Sequence, residues 1–250
     1  MALLEVRNLS RHFGGLAAVD GLTFEVGEGE IRGLIGPNGA GKTTAFNVIS
    51  GYYRPTGGEV IYRGEVISGL KTSDIARRGL VRTFQSTTLF HELTVLENVL
   101  VGRHLHAPEG FFGAVFGRGR KVERDAEIEA RKLLDFMGLD ERAEEQALNL
   151  PHGHQRALGI AVALAAEPVL LLLDEPFTGM NSEETRQMME LVRKVRDRGV
   201  TILLVEHDMQ AVMELCESIT VLNFGRLLAE GSPTEVRAND DVIEAYLGTA

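Results

Sequence analysis

The spacing of hydrophobic positions changes along this chain, and each change predicts a different kind of element. Short apolar runs at Leu3–Val6, Leu22–Val26 and Ile31–Ile35, separated by Gly-containing turns, predict a strand-rich opening over residues 2–35. Glu59–Tyr62 and Val81–Phe84 continue that pattern, with a short polar helix between them at Thr72–Arg78. From Thr94 the period lengthens. Arg124–Met137 carries Ile128, Leu133, Leu134 and Met137 at helical spacing, and Gln155–Ala166 reads as a further helix. Val169–Leu173 is an unbroken apolar run, the mark of a strand covered on both faces. Helix Ser182–Arg198, strand Val200–Val205, helix Met209–Cys216 and strand Ile219–Phe224 then alternate.

Alternation of that kind implies right-handed crossovers and a mostly parallel sheet. The predicted fold is α/β over residues 1–250. A mostly parallel sheet core comes from residues ~30–85 and ~155–225, an antiparallel β layer from the N-terminus, and an inserted helical subdomain from about 86–154. The least orderly stretch is 107–121, rich in glycine with three phenylalanines and three basic residues.

Composition narrows the function classes. Hydrophobic residues at 44% and charged residues at 25% are those of an ordinary soluble globular chain. With 36 acidic against 26 basic residues, the net charge of −10 argues against a nucleic-acid binder. The single Cys216 excludes an internal disulfide and suits a reducing cytosol. Met1 opens a strand-like run rather than a signal peptide. Ala157–Leu173 is apolar enough to suggest a membrane span. Glu167 and Pro168 divide it into pieces shorter than the ~20 residues a spanning helix needs.

The candidate chemistry begins at Gly36-Pro37-Asn38-Gly39-Ala40-Gly41-Lys42-Thr43, which fits G-x-x-x-x-G-K-[ST] between a buried strand and the helical pattern Thr44–Ile49. Glycines let the backbone wrap closely around phosphates, and the helix start points unpaired N–H groups at them. Lys42 supplies a positive charge for the outer phosphates, and the Thr43 hydroxyl suits Mg2+. A nucleoside triphosphate is the expected ligand.

A second half of the site follows from strand ends. Leu170–Leu173 leads into Asp174 and Glu175 at the edge where open parallel sheets bind ligands. Asp174 suits a magnesium contact, and Glu175 suits orienting or deprotonating a water. Val200–Val205 leads in the same way into Glu206-His207-Asp208, placing His207 at the γ-phosphate. Gln85, after Val81–Phe84, is a neutral amide able to reach magnesium and water. His152 and His154 lack the further ligands a metal site needs.

With these pieces in order, the chain resembles the ATP-hydrolysing subunits of ABC transporters over essentially its full length. The matching segments are GPNGAGKTT (36–44, ending on Thr44), TFQ (83–85), LLLLDEP (170–176), TGMN (178–181) and VEHD (205–208). GGLAAVDGLTFEV, LDEPFTGMN and GSPTEVRANDDVIEAYLG look most like the branched-chain amino acid and amide uptake branch. The resemblance implies ATP and Mg2+ as ligands, Phe13 stacking on adenine, Glu175 as catalytic carboxylate and His207 as a switch. It implies a head-to-tail dimer with a second ABC ATPase subunit, identical or different. Further partners would be membrane permease subunits and, indirectly, a solute-binding protein, with no nucleic acid. The subunit would sit peripherally on the cytoplasmic face of the plasma membrane.

Two departures from the family pattern matter. The signature usually reads LSGGQ, but here it is Leu150-Pro151-His152-Gly153-His154-Gln155, so Pro151 removes a hydroxyl donor. Gly153, His154, Gln155 and a helix beginning at Gln155 remain to face the partner's phosphates. Asn181 stands where many members carry Asp, removing a charge from the expected dimer seam. Leu89, Phe90, Leu93, Val95 and Leu96 suit either a groove for a permease helix or ordinary packing.

An exporter of lipid or lipopolysaccharide in the same branch is the nearest rival. A soluble ABC protein and a small-molecule kinase are more distant ones. The first usually needs a fused second cassette or a long coiled coil, and the second leaves the signature segment without a role.

Overall fold

A computed structural model describes residues 2–83, 89–103 and 119–247. Strands β1 (Ala2–Phe13) and β2 (Leu16–Gly27) form a long antiparallel pair. β3 (Ile31–Ile35) leads into α1 (Lys42–Ile49). β4 (Gly57–Tyr62), β5 (Glu65–Val66), α2 (Thr72–Arg77) and β6 (Leu80–Arg82) follow. Next come α3 (Val95–Gly102), α4 (Gly119–Phe136), two short 3-10 turns and α5 (His152–Leu164). β7 (Leu170–Asp174), α6 (Ser182–Asp197), β8 (Thr201–Val205), α7 (Met209–Leu215) and β9 (Ser218–Asn223) alternate as expected. β10 (Arg226–Gly231), α8 (Pro233–Arg237) and α9 (Asp240–Leu247) close the described chain.

These strands make a four-stranded antiparallel sheet, β2-β1-β4-β5, and a six-stranded sheet, β10-β9-β3-β8-β7-β6. In the larger sheet every neighbouring pair is parallel except the β9–β10 hairpin. One expectation needs correcting. Glu59–Tyr62, assigned above to the parallel core, lies in β4 and pairs antiparallel with β1. The segment carries strand period alone, and period does not encode which neighbour a strand takes. The last hairpin was not predicted. It turns on Phe224 (φ 46°) and Gly225 (φ 80°), both left-handed as a type I′ turn demands.

The leucine run of β7 shows how strand period divides the interior. Leu170 and Leu172 join a cluster with Leu4, Val6, Phe24 and Phe46, which fills the space between the two sheets and around α1. Leu171 and Leu173 face the other way, packing with Ile202, Leu204, Ile160, Ala161 and Val192 under the helices. β8 repeats the division, with Leu203 and Val205 on one face and Ile202 and Leu204 on the other. Burying each such leucine contributes roughly 1.5–3 kcal/mol, so a strand covered on both faces is anchored twice. That rigid strand is what holds the acidic residues at its end in place. Cys216 lies in the helical-side core, where an added Cβ on Gly33 would come within 3.1 Å of its sulfur.

Among the residues considered for a permease groove, Leu89, Val95 and Leu96 are buried in the helical-side core. Phe90 is exposed. The buried Asn98 ties that segment down. Its amide oxygen accepts from Phe90 N at 2.9 Å, and its nitrogen donates to the carbonyls of Phe90 and Thr94. Gln85 and most of 107–121 fall outside the described residues.

Candidate functional site

The loop between β3 and α1 is pressed from both sides by backbone, which explains Gly36 and Gly41. An added Cβ on Gly36 would lie 2.1 Å from the Leu222 carbonyl oxygen, and one on Gly41 2.3 Å from that of Ala18. Gly41 also holds φ at 102°, which side chains strongly disfavour. The Gly225 amide donates to Ala40 O at 2.9 Å, and the Asp20 amide to Gly225 O at 2.8 Å, joining the loop to the β9–β10 turn and that turn to β2. Asn38 and Gly39 are exposed, and Thr43 and Thr44 lie in the first turn of α1. Lys42, largely buried, folds back over the loop and donates to the carbonyls of Gly36 at 2.7 Å and Pro37 at 3.1 Å. Burial lowers its pKa, and the negative charge of Glu175 opposes that change.

β7 and β8 are neighbours, and each delivers acidic or imidazole groups beside this loop. Asp174 is buried, and its Oδ2 accepts from Arg82 Nη2 at 2.6 Å. Its Oδ1 is buried with no hydrogen-bond partner among the described residues. Glu175 sits at φ 49°, a left-handed conformation costly for a non-glycine residue. Its amide donates to Val205 O at 2.9 Å, so the strained turn is pinned to the adjacent strand. Glu175 Oε1 lies 3.8 Å from His207 Nδ1, and Oε2 accepts from Thr178 Oγ1 at 3.3 Å. Lys42, Asp174, Glu175 and His207 thus leave β3, β7 and β8 at one edge of the sheet.

Phe13 ends β1, exposed, with its ring edge-on to Tyr53 at a centroid distance of 5.3 Å. The Arg11 guanidinium lies over it at 4.6 Å. Neither Tyr53 nor Arg11 was singled out from sequence, because nothing local ties residue 53 to residue 13.

The signature segment leads into α5. α5 begins at His152 rather than Gln155, with Pro151 as its N-cap. Gly153, His154 and Gln155 therefore form its first turn. Pro151 makes no side-chain cap bond, while Gln155 Nε2 donates to Leu150 O at 3.0 Å. This helix start abuts the 178–184 segment. The His152 ring comes within 3.1 Å of a Cβ built on Gly179, and Glu184 faces Gly153. Asn181 caps α6, accepting from the amides of Glu183 and Glu184 at 3.0 Å each. For that role Asn and Asp serve equally.

The sequence alone gives no role to two residues at the site. Arg82 reaches Asn47 Oδ1 at 2.7 Å as well as Asp174. Glu206 is buried and accepts backbone N–H groups from Phe177 and His207. Each is a charged residue beside a hydrophobic strand, a pattern that also fits an ordinary surface position.

Residues 19–178 match the ABC transporter family. The chain belongs to that family. This ABC ATPase is also similar at residues 226–250 to the branched-chain amino acid ATP-binding cassette transporter family. It is 47% identical over 251 residues to the high-affinity branched-chain amino acid transport ATP-binding protein LivG of Salmonella typhimurium, covering 99% of this chain and 98% of that one. A nucleotide-free ATP-binding cassette from an ABC transporter superposes with a TM-score of 0.89 at 28% identity, covering 100% of both chains. The ATP-binding cassette MJ0796, a dimer in a post-hydrolysis state with ADP and Pi, gives 0.77 at 25% identity, covering 92% of this chain and 98% of that one. The ABC ATPase described here has the α/β cassette fold and couples ATP hydrolysis to transport. Among its described residues, no helix is long and apolar enough to cross a membrane.

Proposed function

We propose that this ABC ATPase works as half of a head-to-tail pair of ATPase subunits on the cytoplasmic face of the membrane. Hydrolysis of MgATP would drive import of branched-chain amino acids or related amides through permease subunits. The observation carrying this reading is that Lys42, at the start of α1 after β3, feels the charge of Glu175 just after β7, which in turn stands 3.8 Å from His207 just after β8, the three strands being parallel and adjacent. The cargo follows from the curated relative, a branched-chain amino acid transport protein of nearly the same length.

Each side chain has a task. Lys42 exchanges the Gly36 and Pro37 carbonyls for phosphate oxygens, which accept more strongly because they are charged. Loop amides and the start of α1 hold the remaining phosphate charge. Asp174 Oδ1, buried without a partner among the described residues, suits a divalent cation together with Thr43 and Gln85. Magnesium there supplies charge neutralisation at the transferring phosphoryl group. Glu175 orients and deprotonates the attacking water, and His207 reads the γ-phosphate. Phe13 stacks on adenine. The first turn of α5, lacking a hydroxyl at Pro151, meets the partner's nucleotide with backbone amides alone. The helices within 86–154 carry the closure to the permease.

Glu175→Gln tests this reading. The variant should bind ATP normally, run as a dimer in gel filtration with MgATP and hydrolyse almost nothing. A variant that stays monomeric under those conditions counts against the pairing. One that keeps its turnover counts against the role of Glu175.

A further inference from the structure

Glu206 is a carboxylate with almost no solvent contact, and it follows directly on the last residue of β8. A buried carboxylate is costly unless hydrogen bonds satisfy it. Here the bonds come from two different loops. Oε1 accepts the Phe177 amide at 2.8 Å, in the segment that carries Glu175. Oε2 accepts the amides of His207 at 3.0 Å and Asp208 at 3.4 Å. Both loops belong to the proposed chemistry, since Phe177 lies two residues after Glu175 and His207 is the switch. His207 Nδ1 is 3.8 Å from Glu175 Oε1 and also 3.8 Å from Glu206 Oε2, so the imidazole stands between the carboxylates. Burial raises the Glu206 pKa, and the three amides oppose it.

An acceptor-only group with two oxygens is well matched to three converging N–H donors. A glutamine would set an NH2 against one set of them. We infer that Glu206 is a positioning residue which braces the loop of Glu175 against the loop of His207 and so holds these two groups in register. It touches neither phosphate nor water in this scheme and acts through the pair. The inference rests on the roles proposed above for Glu175 and His207. Its consequence is kinetic, because displacements near 1 Å at reacting groups cost on the order of 10²-fold in rate.

The test uses the full-length chain and three readouts. Glu206→Gln should lower kcat by at least about tenfold while the KM for ATP moves by about twofold or less, since the phosphate loop is untouched. In a His207→Ala background the same change should add about twofold or less, because the brace has lost one of the groups it aligns. Backbone amide resonances of Phe177, His207 and Asp208 should shift together in Glu206→Gln. The inference is overturned by a kcat within about twofold of wild type, or by a penalty undiminished in the His207→Ala background. The two readings fail separately. A wild-type rate in His207→Ala refutes the histidine's role, whereas unmoved Phe177 and Asp208 resonances refute the brace. Should Glu206→Gln fail to fold, Glu206→Asp carries the same test, keeping the charge while shortening its reach.

Discussion

Arg82 and Asp174 form a buried, hydrogen-bonded ion pair, Nη2 to Oδ2 at 2.6 Å, across the neighbouring strands β6 and β7. The same guanidinium donates to Asn47 Oδ1 at 2.7 Å and Ser50 Oγ at 3.3 Å, on and just beyond α1. One cation therefore ties the carboxylate proposed for magnesium to the helix that follows the phosphate loop. It also stands three residues before Gln85 in the chain.

Removing that cation should be expensive. Arg82→Ala leaves Asp174 buried with an uncompensated charge, and breaking such a pair typically costs about 3–5 kcal/mol. Arg82→Lys should recover only part of this, because an ammonium cannot reproduce the planar fork that serves Asp174, Asn47 and Ser50 together. Chemical denaturation of the three proteins measures both effects. A loss below about 1 kcal/mol in Arg82→Ala would mean the pair contributes no more than a surface one.

Two glycines of the phosphate loop make a controlled comparison. Gly39 (φ 79°) and Gly41 (φ 102°) both hold left-handed backbone, but only Gly41 meets another backbone atom, 2.3 Å from the Ala18 carbonyl. Gly39→Ala should cost the conformational strain alone, about 1–3 kcal/mol. Gly41→Ala adds a collision with main chain, so it should lower the thermal midpoint further and weaken ATP binding in calorimetry. Equal penalties at the two sites would falsify the assignment of Gly41 to close backbone approach.

Asn181 caps α6 within a reciprocal capping box, with Glu184 accepting from the Asn181 amide at 2.9 Å. Asn181→Ala should therefore lose about 0.5–2 kcal/mol of stability, whereas Asn181→Asp keeps an equivalent acceptor. Thermal unfolding separates the two. A destabilised Asp variant would show that charge, rather than capping, governs the position.

Several features were legible because their signals are local. The glycine spacing of 36–43 announces a close backbone turn, and that turn is what the loop makes. The apolar run before Asp174 announces a strand covered on both faces, and alternate leucines do enter opposite cores. The strand–helix alternation after Ser182 keeps its predicted order, with ends displaced by a residue or so. Local bonding and side-chain period suffice for all of these.

What the amino-acid order determined alone is thus the type of each element and the chemistry offered at its ends. Only tertiary structure decided which ends meet. Whether β4 joins the parallel core or the antiparallel layer depends on β1, some fifty residues earlier. Whether Arg82 is a surface charge or the partner of Asp174 depends on register between strands about ninety residues apart. Glu206 becomes a brace only because β7 and β8 lie side by side. Dihedral preference and hydrophobic period act over a few residues, whereas burial and ion pairing are set by whatever the completed sheet brings alongside.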